Sequence, residues 1–154
     1  MANLRWQKNH FILIEAYSII KQKGFTHKII LVGQDKNDEY SQNLREKIKD
    51  LNLEEDIHIL GQRSDVDSII ANSSICVLSS DVEALPMVLI EYANHRKPVV
   101  VTDVGQCAEV VGDYAQVVKP NDAEALANAI AYYLDYPDLA NSEAENLYKK
   151  VQKE

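Results

Sequence analysis

At 154 residues, 46% hydrophobic and 26% charged, the chain has the size of one domain and enough length to bury a core without disulfide staples. Its formal charge of −8 argues against the broad basic face that nucleic-acid binding needs, so an anionic ligand must be held by a few local donors against the global field. No apolar run approaches the roughly 20 residues of a membrane span, and residues 1–4 lead into polar sequence rather than a targeting segment, which points to the cytoplasm.

Residues 1–4 read as the end of a strand, followed by a loop over residues 5–10 in which Asn9 caps a helix running to about Lys23 and stopped by Gly24. Residues 27–33 contain Ile29, Ile30, Leu31 and Val32, a continuous apolar run typical of a strand covered on both faces. A helix over residues 38–51 carries Tyr40, Leu44 and Ile48 on a narrow stripe. Residues 57–60 form the third strand, and Ser64 is placed to cap a short helix with Val66, Ile69 and Ile70. The fourth strand, residues 75–79, runs through a loop into a helix whose first turn holds Pro86 and which ends near His95. Residues 98–102 and 115–118 are strands five and six, with Cys107 in a loop between them. Asn121 and Glu124 form a capping pair for a helix to about Tyr136, Pro137 breaks it, and Ser142 with Glu145 repeats the signature before a last helix containing Leu147 and Val151.

Strands alternating with helices at this spacing predict one α/β domain over residues 1–154. Its expected form is a Rossmann-like three-layer α/β/α sandwich whose mostly parallel sheet has about six strands in the order 3-2-1-4-5-6. That order reverses between strands one and four, so the loops at residues 5–10 and 79–86 border the ligand crevice. Arg5 and Lys8 are thereby brought against the segment holding Glu83, and the start of the following helix supplies backbone N–H groups around Leu85, Met87 and Val88 for a phosphate. Asp65-Val66-Asp67 has the form of a metal-binding acidic pair, but its place at a helix start explains it through the helix dipole. Cys76 and Cys107 have no CxxC spacing and read as reduced structural thiols.

Glu83-Ala84-Leu85-Pro86-Met87-Val88-Leu89-Ile90-Glu91, followed by Lys97-Pro98-Val99-Val100-Val101-Thr102-Asp103-Val104-Gly105, resembles the signature of glycosyltransferase family 4, the retaining GT-B enzymes. The resemblance extends over nearly the whole chain and corresponds to the donor-binding C-terminal half of such an enzyme. It implies that Lys8 holds the donor diphosphate, that Glu83 meets hydroxyls of the donor sugar, and that Glu91 accepts hydrogen bonds from the ribose. Glu83 and Lys8 are the implied catalytic residues. Arg5, Gly33, Ala84, Leu85, Pro86, Met87 and Val88 complete the implied donor site. No cofactor or metal is implied, and the donor is a UDP-, GDP- or ADP-sugar. The N-terminal acceptor-binding domain is expected outside this chain, together with any membrane contact, so the isolated chain should bind donor without transferring sugar. Polysaccharide or lipopolysaccharide synthesis is the implied pathway.

The chain departs from the family pattern at several places. Asn3 stands where the family has an arginine, Ala84 where it has glycine, Arg96 ahead of Lys97 where it has glycine, and Gln106 in place of the second glycine of a pair. A phosphorylation receiver shares the alternating pattern, but residues 3–8 and 61–63 lack the acidic groups it needs. A non-catalytic interaction module derived from the same fold is the alternative reading.

Overall fold

The computed structural model describes residues 1–153. A single 3-10 turn, Trp6–Lys8, precedes α1, His10–Gln22, and Asn9 links them in a left-handed conformation at φ 42°, its side chain accepting the Ile12 N–H at 3.2 Å. The helices that follow are α2 (Glu39–Asp50), α3 (Val66–Ala71), α4 (Met87–Asn94), α5 (Cys107–Val111), α6 (Ala123–Asp135) and α7 (Pro137–Val151). None is long and apolar enough to cross a membrane.

Five strands lie between them, in two parallel sheets. Strand β1 (Ile29–Val32) pairs with β2 (Ile57–Gly61), and β3 (Cys76–Leu78), β4 (Val99–Thr102) and β5 (Gln116–Val118) form the second sheet in that order. The six-strand order is therefore not obtained, because residues 1–4 form no regular ladder. Ala2 donates its N–H to the Val32 carbonyl at 2.8 Å and Leu4 donates to Gln34 at 2.9 Å, a parallel run along the end of β1. The reciprocal bond is diverted: the Gln34 N–H goes to the Asn3 side chain at 2.9 Å rather than to a main-chain carbonyl.

Helices cover both faces. On one, α1, α2 and α6 bury Ile14, Tyr17, Leu44, Leu126 and Ile130 against Leu31, Ile57 and Val100. On the other, α3, α4, α5 and α7 bury Ile70, Leu89, Tyr92, Val111 and Leu147 against Leu78, Val99 and Val101. Successive residues of β4 thus feed opposite cores, the period-two alternation of a strand buried on both sides.

Several local expectations need correction. Asp65, not Ser64, stands at the start of α3 and makes no capping hydrogen bond, since Arg63 holds its carboxylate at 2.9 and 3.0 Å. Pro86 precedes α4 rather than occupying its first turn. Residues 107–111 are helical instead of looped. Asp122, not Asn121, caps α6 by accepting the Ala125 N–H at 2.8 Å, because Asn121 is left-handed at φ 58° and its side chain is used elsewhere. Pro137 does not interrupt but opens α7, where its missing N–H costs nothing, so Ser142 and Glu145 lie inside a continuous helix. Only Tyr136 separates α6 from α7, and the Tyr133 hydroxyl donates to Glu143 across the turn.

Candidate functional site

The loop before α1 and the loop after β3 meet at the carboxyl edge of the sheets. Asp81 donates its N–H to the Gln7 carbonyl at 2.9 Å, and the Ser79 hydroxyl donates to the Lys8 and Asn9 carbonyls at 3.1 and 3.2 Å. These bonds fix the backbone under Lys8, whose ammonium forms an ion pair with Glu83. Both partners are largely buried, with side chains 14% and 10% exposed. Ser80 adds a second donor, its hydroxyl reaching the same Glu83 oxygen at 2.7 Å, and Thr102 at the end of β4 donates to the Ser80 carbonyl at 2.6 Å. The ends of neighbouring strands β3 and β4 and the turn before α1 thus converge on the Glu83 loop. An ammonium has three donors, so the pair to Glu83 leaves Lys8 with further capacity for an anion.

Behind Glu83 the chain approaches itself closely. Gly105 sits at φ 54°, and a Cβ there would lie 2.0 Å from the Glu83 carbonyl oxygen. Gln106 then donates its N–H to Ala84 at 3.2 Å, so residues 103–106 set the depth of the Glu83 loop. Asn9 braces the other side: its amide nitrogen lies 2.9 and 3.0 Å from the two Asp81 oxygens and 2.7 Å from Asn121. Sequence reasoning named Asn121 only as a helix cap and gave no site role to Ser80, Asp81 or Thr102. The bonds from Asn9 to Asp81 and Asn121 and from Thr102 to Ser80 span more than 20 residues, so no local pattern marks them.

The remaining candidates are less enclosed. Arg5 is exposed and extended at φ −155°, and its side chain makes no ion pair among the described residues. Gly33 is explained by close packing, since a Cβ at its φ of 154° would lie 2.1 Å from the Ala2 carbonyl oxygen. At the start of α4, Ala84, Leu85 and Met87 are exposed, Val88 is half-buried and Pro86 is buried. The Met87 N–H turns to the Leu85 carbonyl at 3.0 Å, which leaves Ala84, Leu85 and Val88 as the residues there whose N–H groups have no backbone acceptor among the described residues. Glu91 projects from α4 into solvent. Trp6, Val82, Leu85 and Met87 add an exposed apolar rim, each more than half exposed at 61%, 52%, 54% and 56%.

Beneath the site, His10 is buried and its backbone N–H and Nδ1 lie 2.9 and 3.0 Å from the Tyr40 hydroxyl. Burial, followed by the nearby N-terminal charge, lowers its pKa to about 4. Burial likewise pushes the Cys107 thiol up to about 11, with the Glu83 charge adding to the effect. The Asp65 and Asp67 carboxylates pair with Arg63 and His95 respectively, and no cluster of three or more metal-ligating side chains occurs among the described residues.

Parallel sheets covered by helices on both faces, with a lysine and a glutamate joined across the strand ends, define a Rossmann-like domain of the GT-B type. The chain belongs to the family described as Glycosyl transferases group 1, which it matches over residues 1–152. It is 31% identical over 119 residues to the amylovoran biosynthesis glycosyltransferase AmsD of Erwinia amylovora, an alignment covering 77% of this chain and 32% of that protein. Among solved structures, a glycosyltransferase from Rickettsia africae is 29% identical with a TM-score of 0.92, covering 99% of this chain and 41% of that one. Anabaena Alr3699/HepE, in complex with UDP and glucose, is 26% identical with a TM-score of 0.92, covering 99% and 42%. The chain spans between a fifth and a third of the length of the curated relatives it matches first, 32%, 25% and 21%.

Proposed function

We propose that this chain is the donor-binding, C-terminal half of a retaining, metal-independent enzyme of glycosyltransferase family 4, acting in the cytoplasm. The complete enzyme would move a sugar from a nucleoside diphosphate sugar to a hydroxyl of a glycan, lipid or polysaccharide in cell-surface polysaccharide or lipopolysaccharide synthesis. Its acceptor-binding half would be a separate N-terminal domain. The observation that carries this reading is the Lys8–Glu83 pair, held by Ser79, Ser80 and Thr102 at the strand ends beside the start of α4.

In this reading Lys8 turns part of its donor capacity to the diphosphate and stabilises the charge that develops there as the glycosidic bond to the sugar breaks. The N–H groups of Leu85 and Val88, at the positive end of α4, face the distal phosphate. Glu83, already oriented by Ser80, accepts hydrogen bonds from sugar hydroxyls, and Glu91 accepts those of the ribose. Support for a uridine diphosphate donor comes from the Anabaena structure, which holds UDP and glucose on a chain of the same fold. The GDP and ADP forms remain arms of the test.

Calorimetric titration of the chain with UDP, GDP, ADP and their sugar conjugates tests the reading, repeated on Lys8→Ala and Glu91→Ala. Selective binding weakened by both substitutions is the expected result, with no sugar transfer by the chain alone. A ligand at 100 times its dissociation constant should stabilise the fold by about 2.7 kcal/mol. A folded chain that binds none of these nucleotides overturns the reading and favours the interaction module.

A further inference from the structure

The two oxygens of Glu83 are used unequally. Its Oε1 takes both protein donors, the Lys8 ammonium and the Ser80 hydroxyl at 2.7 Å. Its Oε2 has no hydrogen-bond partner among the described residues. Yet the one buried side-chain atom left without a partner there is Gln7 Oε1, so Glu83 Oε2 reaches solvent. Lys8 is committed in the same way, since Glu83 is its one side-chain partner among the described residues. Both side chains are largely buried, and solvent screens them little. An approaching diphosphate therefore meets an ion pair on a chain of formal charge −8, not a free cation. The ammonium attracts it and the carboxylate bonded to that ammonium repels it.

We propose that Glu83, through its pair with Lys8, makes the site discriminate against a bare nucleoside diphosphate in favour of one that carries a sugar. The inference rests on the reading of this chain as a donor-binding domain. Lys8 and Glu83 neutralise each other, so an anion drawn to the ammonium weakens the pair and leaves the carboxylate short of counter-charge where water reaches it poorly. A sugar on the distal phosphate makes good that loss, because its hydroxyls donate to Oε2. An ionised diphosphate brings only acceptors to the same carboxylate and cannot. Ser80 stays on Oε1 throughout. It is fully buried just past the end of β3, with its carbonyl held by Thr102 at 2.6 Å, so Oε2 keeps facing outward. The pair thus lowers affinity for the nucleoside diphosphate more than for its sugar conjugate. In the complete enzyme that difference favours release of the nucleotide once its sugar has gone.

Calorimetric titration with UDP and UDP-glucose, the GDP and ADP pairs run alongside, tests this on the parent chain and on Glu83→Gln. The amide keeps the side chain's size and an oxygen for Ser80 and Lys8 but removes the charge. The nucleoside diphosphate is expected to bind Glu83→Gln at least about threefold tighter than the parent, and the preference for its sugar conjugate to shrink by at least about threefold. Glu54→Gln removes the same charge from the opposite edge of the sheets, ahead of β2, and should alter neither. Should Glu83→Gln fail to fold, Glu83→Leu gives the same readout. Unchanged or weaker binding of the nucleoside diphosphate by the Glu83 variant overturns the proposal, because a carboxylate that only braces Lys8 gives that result. So does an equal gain in Glu54→Gln, which would be an effect of net charge. A folded parent that binds none of these nucleotides overturns the donor reading and the proposal with it. A parent that binds them while the Glu83 variant fails to gain overturns the proposal alone.

Discussion

Replacing Lys8 by methionine removes the ammonium but keeps most of the stem, and so isolates the charge pair. Glu83 is then a carboxylate 10% exposed with Ser80 as its remaining donor. Stranding one partner of a buried pair costs about 3–5 kcal/mol, and the retained Ser80 bond with slight solvent access lowers this to about 2–3 kcal/mol. At about 2–4 °C per kcal/mol for a chain of this size, Lys8→Met should melt roughly 5–10 °C below the parent. Glu83→Leu should cost less, because the freed lysine can extend its flexible stem into water. The double variant Lys8→Met/Glu83→Leu should return to within about 1 kcal/mol of the parent, since no buried charge is left unpaired. Urea denaturation of the four chains then yields a coupling energy of about 1.5–3 kcal/mol. Additive losses, within about 0.5 kcal/mol, would refute the view that these two side chains hold each other in place.

Gly105→Ala should lose at least about 2 kcal/mol and weaken UDP binding, since the left-handed backbone costs about 1–2 kcal/mol and the methyl meets the Glu83 carbonyl at 2.0 Å. Gly24→Ala, at φ 92° with open space around it, should show the backbone cost alone and leave binding unchanged in the same titration. The unfolded chain takes up a proton at His10 near pH 6.5, but the folded chain resists until about 4. Stability should therefore fall by up to about 3 kcal/mol as the pH drops through that window, a slope that denaturation curves of His10→Gln should lack. Burial raises the thiols of Cys76 and Cys107 to about 12 and 11, so a thiol reagent at pH 8 should label neither in the folded chain and both in urea.

Elements with strong local chemistry were legible in the sequence. The apolar runs at Ile29 to Val32 and at β4 became strands, β4 buried throughout but β1 only at Leu31 and Val32, and Asn9 caps α1 as its type and position predict. Lys8 does meet Glu83, as the loops at residues 5–10 and 79–86 were expected to, although the six-strand order from which that was argued is not obtained. Errors arose where a distant partner outbid a local signal. Asn121 looks like a cap in isolation, yet its side chain is taken by Asn9, 112 residues away, and the cap passes to Asp122. Ser142 and Glu145 form a sound start signature, but Ala140, Ala144 and Leu147 are buried at helical spacing across it, and packing carries the helix through. The expected first strand is missing for a different reason: pairing of residues 1–4 is interrupted at Asn3, whose side chain takes the hydrogen bond a main-chain carbonyl would need.

The turn at Tyr136 has a consequence for how the molecule comes apart. On its amino side α6 fills the core beneath Val100, while the far end of α7 places Leu147 in the core behind Val99 and Val101. One residue of connection, stapled by Tyr133 and Glu143, therefore mechanically joins two apolar clusters that the sheet otherwise keeps apart. Neither cluster can loosen without pulling on the other, so heat should melt the domain in one cooperative step. Lengthening that turn with a flexible insert would let each half melt at its own temperature.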